Sequence, residues 1–500
     1  MAARRSTRRI ALHAVGLFLL PLLVFAPVIG FGFVQDDTFE IVRNESLRAP
    51  LATTLRAVWH AEAHAQGIPN ATRPATIASL TLDYRAFGLA PWGFHAHSLL
   101  LHALSATAAA ACALALTRRR RVALIAGVLF ALAPLHAEAI AAVSNRDELL
   151  AALMTLVTLS AIAWPRPAPM PLGAELAVAG AWLIGLGAKE TALALPLLVL
   201  AAWAILRPPR ADRLQRESLI FVLFGVLILW INWRYAVLLG GDGIPRSPKR
   251  EWLATAAETA RFEVLAAFQA FLPFRAITEY ARDAPASAVW LVGLLGLFAL
   301  IVVLSRRRTT RVPALGLAFA LAAPLPASPI FGPVTPRADR YLYLAVFGGA
   351  LGWAWAADRL ARRAPRRWVH AGAVAALLIL AVACRRSIAP WANERALWTR
   401  AVADAPDSPR AWTALSRVHR LAGELDAADT SVQRAIVLDP SYVPARVTRA
   451  HNALARGDTA AARRELHTIE NLGGTSHPGF ARARQCADLD PTGARDCIAK

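Results

Sequence analysis

The sequence predicts an all-α protein in two parts. A polytopic membrane helical bundle of about eleven spans occupies residues 1–388, and a short helical solenoid follows over 389–475, with a polar tail at 476–500. Three observations carry this. Hydrophobic residues make up 56% of the 500-residue chain, more than the roughly 45–50% of ordinary soluble domains. Clusters of arginine recur between apolar runs at intervals that suit alternating membrane loops. The polar C-terminal part repeats itself with a period of 34 residues.

Apolar runs long enough to span, or to lie buried among spans, fall at about 10–33, 94–117, 122–143, 148–164, 174–188, 191–206, 217–238, 287–304, 312–330, 340–358 and 368–384. The first follows a basic "MAARRSTRR" but runs past 20 apolar residues without a small-residue cleavage site, so it reads as an uncleaved span. With the N-terminal arginines inside, alternation puts Arg118 to Arg121, then Arg207, Arg210, Arg213 and Arg216, inside as well. The clusters Arg306 to Arg308 and Arg362 to Arg367 follow suit. The formal charge of +21 is therefore mostly a topology signal rather than a nucleic-acid one. Counting 252–274 as a full span would move the later clusters outside. It is read instead as an amphipathic interfacial or re-entrant helix. The runs 174–188 and 191–206, parted only at "AKE", form either two spans or one kinked hairpin.

This topology assigns the outer side a first loop over 34–93, short links near 144–147, 189–190 and 331–339, the 239–286 region and the whole tail. In the tail, Pro406 matches Pro440, Ala411 matches Ala445, Gly423 matches Gly457, and Ala427 and Ala428 match Ala461 and Ala462. Thirty-four residues is the length of a tetratricopeptide helix pair, in which small residues let the helices approach closely. Cys112 and Cys384 sit in apolar runs, whereas Cys486 and Cys497 lie close together in the polar tail and are the disulfide candidates.

The chemistry-bearing residues gather at the outer ends of the spans. Asp36 and Asp37 follow the first span directly. An acid at the bilayer centre costs about 2.5–3.5 kcal/mol on insertion scales, but at the outer boundary water is available. Two neighbouring carboxylates can divide labour, one taking a proton from a hydroxyl and the other orienting it. The bland alternative is a helix N-cap by Asp37 or Thr38 at the start of "DDTFEIV". Further along come Arg73, Asp83, His95, His97 and His102, then His136, Glu138, Arg146 and Asp147, then Lys189 and Glu190, then Arg337, Asp339 and Arg340. For His102, packing within an apolar helix is the preferred reading.

The ordered set comprises the two acids, "RPATIASLTLDYRAFGLAPWGFHAHSLLLHAL", "PLHAEAIAAVSNRDELL", "KETALALPLL", "DRYLYL" and the repeat tail. It resembles the transmembrane and tetratricopeptide repeat O-mannosyltransferases and their bacterial relatives, from about residue 30 to 470. The resemblance implies a GT-C glycosyltransferase fold. It implies transfer of a sugar, mannose in the named family, from a polyprenyl-phosphate carrier to a hydroxyl acceptor on a protein or glycan at the outer face. It makes Asp36 and Asp37 the family's catalytic acidic pair, one or the other being the base for the acceptor hydroxyl, and Arg340, Arg337 and Lys189 the groups for the donor phosphate. Arg73, His136, Glu138, Arg146 and Glu190 then support the cavity. Where the family's middle motif usually reads His-Pro, this chain has Ala133-Pro134.

No cofactor is required by this reading; adjacent acids can ligate a divalent metal, but their spacing does not demand one. The composition suits a bacterial inner membrane, with the N-terminus cytoplasmic and the tail outside. Two rival classes remain in view: a membrane-anchored protein-docking scaffold, and a transporter or flippase. A transporter needs charges distributed through the membrane depth, whereas here they cluster at one face.

Overall fold

A computed structural model describes residues 2–59, 69–70, 72–164, 170–207, 211–239, 252–281, 285–331 and 337–499. Among them every regular element is helical. The chain divides into two compact units, one of residues 1–276 and 285–392, the other of 277–284 and 393–500.

In the first unit, α1 (Ala2–Val24) leads into a long loop, which carries α2 (Leu51–Trp59) and α3 (Pro74–Phe87). Then α4 (Pro91–Thr117) packs against α1, α5 (Arg120–Ala131) and α7 (Arg146–Ala163), with the one-turn α6 (Ala137–Ala141) before α7. At ~1.5 Å per residue, the 27 residues of α4 reach about 40 Å, enough to cross a bilayer core. Gly127 makes the approach of α5 possible, because a Cβ there would lie 2.7 Å from both Ala110 and Leu17. The unit continues through α8 (Leu172–Ala188), α9 (Leu195–Leu206), α10 (Ala211–Leu239), α11 (Trp252–Phe271) and α12 (Val289–Arg306). It closes with α13 (Arg311–Ala322), α14 (Ala345–Ala361) and α15 (Arg366–Ile388). α13 and α14 cross through glycine: a Cβ on Gly316 would sit 2.5 Å from the Gly348 carbonyl oxygen, and Gly348 and Gly352 lie one turn apart on α14.

Eleven apolar runs do not become eleven long straight helices. Among the described residues, the helices long and apolar enough to cross a membrane are Pro91–Thr117, Val289–Arg306, Arg308–Ala327 and Arg366–Ala392. A fifth is Arg120–Ala131 with Pro134–Ala141, bent by 49°. Pro134 lacks the N–H that would continue the ladder, so the run bends there. The 174–188 and 191–206 runs are the two shorter helices Leu172–Ala188 and Glu190–Leu206, parted at Lys189. Helix α11 covers the 252–274 stretch and is not among the apolar helices. None of the residues of α12 is buried, and Val292 and Leu295 are 68% and 66% exposed. Such apolar surface needs lipid around it, and the protein is a multi-pass membrane protein.

In the second unit the tail forms α16 (Glu394–Asp404), α17 (Pro409–Leu421), α18 (Leu425–Leu438), α19 (Val443–Arg456), α20 (Thr459–Asn471), α21 (Pro478–Ala487) and α22 (Pro491–Ala499). The α17–α18 hairpin recurs 34 residues later as α19–α20. The matched alanines Ala411, Ala445, Ala428 and Ala462 are all fully buried. The matched glycines Gly423 and Gly457 both follow a first helix at φ +79°, where a side chain would strain. Cys486 and Cys497 are disulfide-bonded and join α21 to α22, while Cys112 and Cys384 are free and buried in the first unit. Residues 277–281 pack with this unit: Thr278 donates to Asp404, and Glu279 accepts from Ser408 (2.8 Å) and Arg410 (3.1 Å).

Candidate active site

The loop after α1 begins with a short turn and then adopts a left-handed conformation at Gln35, with φ +51°. The next two side chains differ in exposure. Asp36 is exposed, whereas Asp37 is fully buried. The Asp37 carboxylate accepts the backbone N–H groups of Val34 (3.1 Å), Val143 (3.3 Å) and Ser144 (2.6 Å). It makes no side-chain cap for the turn Thr38–Val42 that follows. Asp37 instead ties the loop after α1 to the turn before α7. Burial pushes its carboxyl up to about 6, against the lowering effect of these donors.

One turn on, the backbone N–H of Glu40 donates to the Asp36 carbonyl at 2.7 Å. The Glu40 carboxyl is pushed up to about 8, first by burial, then by the charge of Asp147 and, more weakly, Asp36, while Asn70 and Arg73 oppose the rise. Its Oε2 is buried without a hydrogen-bond partner.

Behind this loop lies a continuous ionic network. Arg73, held just before α3 by the proline that opens the helix, donates to Asp147 at 2.6 Å and to Glu190 at 3.2 Å. Asp147 and Glu148 occupy the first turn of α7, where acids suit the helix dipole. The break between α8 and Glu190–Ala194 delivers Lys189, whose Nζ lies 3.1 Å from Asp147 and 2.9 Å from Glu148. Burial disfavours the ammonium, but the two carboxylates overcome it and hold the Lys189 pKa above its ordinary value. Thr191 donates to Glu148 at 2.9 Å. Glu190 also meets Arg234 at 3.3 Å; burial would raise its carboxyl, but Arg73 and Arg234 hold it down at about 2.

Arg340 reaches the same neighbourhood from the turn Asp339–Leu342. It pairs with Glu138, donates its backbone N–H to that carboxylate at 3.0 Å, and lies 4.9 Å from the Tyr341 ring. The Lys189 ammonium lies 5.8 Å from the same ring and feels the Arg340 charge. Tyr341 thus lies within reach of two cations, which its π face favours.

Of the residues named from the sequence, Arg73, Glu138, Lys189, Glu190 and Arg340 are therefore linked through ion pairs or neighbouring charge, while Asp37 and the exposed Asp36 belong to the loop after α1. Two others lie deeper. Arg146 is fully buried, pairs with Asp83 and donates to Ser79 (3.2 Å), Ser98 (3.3 Å) and the Phe94 carbonyl (2.7 Å). His136 is fully buried with Nε2 on the Tyr343 carbonyl at 3.2 Å, in an aromatic cluster with His102 and Phe130. His102 bridges the Tyr343 hydroxyl (2.7 Å) and the Ala131 carbonyl (3.1 Å). Arg337 opens the described segment that carries Arg340.

Glu40, Glu148 and Arg234 were not among the residues expected. Arg234 had a signal, as a lone cation deep in "LILWINWRYAVLL". Glu40 had one too, lying one helical turn beyond Asp36. Among the described residues no group of three or more His, Cys, Asp or Glu is arranged to hold a metal ion.

No protein-family model matches the chain, and no solved structure matches it. Curated relatives do. The chain is 31% identical over 235 residues to the protein O-mannosyl-transferase Tmtc2 of Drosophila melanogaster, covering 44% of this chain and 24% of the fly protein. It is 32% identical over 137 residues to Tmtc1 of the same organism, covering 27% and 16%. To human TMTC3 it is 33% identical over 129 residues, covering 25% and 14%. The chain spans about a quarter or less of the length of these relatives. Over the matched residues, the chain is similar to proteins named protein O-mannosyl-transferases.

Proposed function

We propose that the protein is a GT-C-type membrane glycosyltransferase. It moves a sugar, mannose by likeness to the named relatives, from a polyprenyl-phosphate carrier to a hydroxyl acceptor at the outer face of a bacterial inner membrane. The observation that carries this is the division within the acidic pair. Asp37 spends both oxygens on backbone donors and holds the loop, which leaves Asp36 exposed in the same loop, near an ionic network that includes Arg73, Lys189 and Arg340.

In this reading Asp36 is the base. The acceptor hydroxyl gives its proton to the Asp36 carboxylate, the freed oxygen bonds to the anomeric carbon, and the carbon–oxygen bond to the carrier phosphate breaks with inversion. The phosphate leaves with the lipid chain and takes the electron pair of that bond. Arg340 is suited to grip phosphate oxygens through its planar fork, with Lys189 and Arg73 adding positive potential. Fixed cations at the departing phosphate act where negative charge develops, which is the usual large term in such a reaction. The second unit is read as a short tetratricopeptide array that presents the acceptor, a protein in the named relatives.

The test is transfer of labelled mannose from polyprenyl-phosphate-mannose by membranes holding the wild-type chain or Asp36→Asn at matched abundance. The expected outcome is loss of transfer by about 100-fold or more, the size of a general-base contribution. Full activity of the variant would overturn the assignment.

A further inference from the structure

The second unit pairs most of its arginines with acids. Arg395 meets Glu424 at 2.8 Å, Arg484 meets Glu470 at 2.7 Å, Arg446 and Arg449 share Glu465, and Arg456 takes Asp426 and Asp429. Arg420, near the end of α17, departs from this habit. It is half-buried, makes no ion pair among the described residues, and its Nε is buried without a hydrogen-bond partner.

Its charged neighbours are cations. Arg417 lies three residues earlier on the same side of α17 and has only a long 3.8 Å contact with Glu394. Arg482 on α21 donates to the Cys497 carbonyl at 3.0 Å. It also borders an open pocket of about 690 Å³ shared with Asp496, with which it makes no ion pair. Burial, then Arg417 and Arg482, disfavour the charge on Arg420. Between these arginines stands His451 of α19, its Nε2 on the Gly479 carbonyl at 3.2 Å. It is pushed down to about 4 by burial, then by Arg420, and further by Arg482 and His477. A half-buried guanidinium set among like charges is costly unless an anion compensates it.

We propose that the side of the second unit formed by α17, α19 and the start of α21 is a docking surface for an acidic segment of a polypeptide, gripped by Arg417, Arg420 and Arg482. Charge complementarity selects an anionic partner. Extent selects a polypeptide: packed helices lie about 8–10 Å apart, so three of them cover more than one phosphate does. An extended peptide rises ~3.3–3.6 Å per residue, and about five residues cover that distance with carboxylates for both ends. Guanidinium forks suit such carboxylates. The surface does not depend on the transfer chemistry proposed above.

The experiment measures fluorescence anisotropy of a labelled hexaglutamate peptide with the full-length protein in nanodiscs, beside a hexaglutamine peptide. The expected result is binding about tenfold or more tighter for hexaglutamate, weakened several-fold when salt rises from about 50 to 300 mM, as screening requires. Arg420→Gln and Arg482→Gln should each weaken it about fivefold or more, whereas Arg434→Gln, at an exposed arginine of α18, should leave it unchanged. If Arg420→Gln shifts the thermal transition, Arg482→Gln decides the matter. Equal binding of both peptides, insensitivity to Arg482→Gln, or displacement by equimolar inorganic phosphate would overturn the proposal, the last by showing a small-anion site.

Discussion

The Asp37 carboxylate accepts the backbone N–H of Ser144 at 2.6 Å, although the two residues lie 107 positions apart. This contact turns one member of an adjacent acidic pair into an anchor between the loop after α1 and the turn before α7. It leaves its neighbour free to meet solvent.

The two acids should therefore fail differently. Asp37→Asn puts an amide donor against three backbone donors and should destabilise the protein by about 1–3 kcal/mol. Asp36→Asn should stay within ~0.5 kcal/mol of wild type, as surface substitutions do. Thermal unfolding in detergent separates the two, and equal stability of the variants would remove the anchor role.

Lys189 balances two buried carboxylates, Asp147 at 3.1 Å and Glu148 at 2.9 Å. Lys189→Met strands both and should cost about 3–5 kcal/mol, the usual penalty for breaking a buried pair. Adding Glu148→Gln should recover part of that loss, and a double-mutant cycle reads the coupling directly. Additive effects would mean that the ammonium and Glu148 do not interact.

Stability should decline as pH rises across the neutral range. Burial pushes Glu40 from 4.5 to about 8 and Asp37 from 3.8 to about 6, so the folded state keeps protons that the unfolded chain releases. The contribution is complete below the unfolded values and is lost as pH climbs through the folded ones. Glu40→Gln should flatten the decline between about 6 and about 8, where Asp37 has already ionised. Melting temperatures taken across that interval test it; a wild-type curve that rises instead would contradict the direction.

The crossing of α13 and α14 should reject any side chain at Gly348, where a Cβ would meet the Gly316 carbonyl and lie 2.6 Å from the Ala320 nitrogen. Gly348→Ala should lower stability by about 1–3 kcal/mol through overpacking. Gly180→Ala on α8 has open space around it and should be neutral or stabilising by about 0.5–1 kcal/mol through its helix propensity. The pair, compared by yield of monodisperse protein and melting temperature, isolates the contact from helix propensity.

Much was legible in the chain itself. The all-helical class followed from apolar runs, and the 34-residue period marked the small residues Ala411, Ala445, Ala428 and Ala462 that the hairpins bury. Local rules suffice there, because helix caps and close-packed alanines depend on neighbours within one hairpin. Span count was less legible. Hydropathy averages over a window and does not register the bend at Pro134 or the break at Lys189.

The roles of individual charges needed the fold. Arg73 and Arg146 both read as outer-loop cations, yet one joins the Asp147 and Glu190 network and the other is sealed in the interior with Asp83. Asp36 and Asp37 read as an equivalent pair, and nothing local distinguishes them. What separates them is a left-handed turn at Gln35 and two amide donors more than a hundred residues away. The sequence by itself determined which residue types gather near the ends of the apolar runs. Only the tertiary structure decided which of them are buried and paired within the protein and which stay exposed, because burial and pairing arise from long-range contacts.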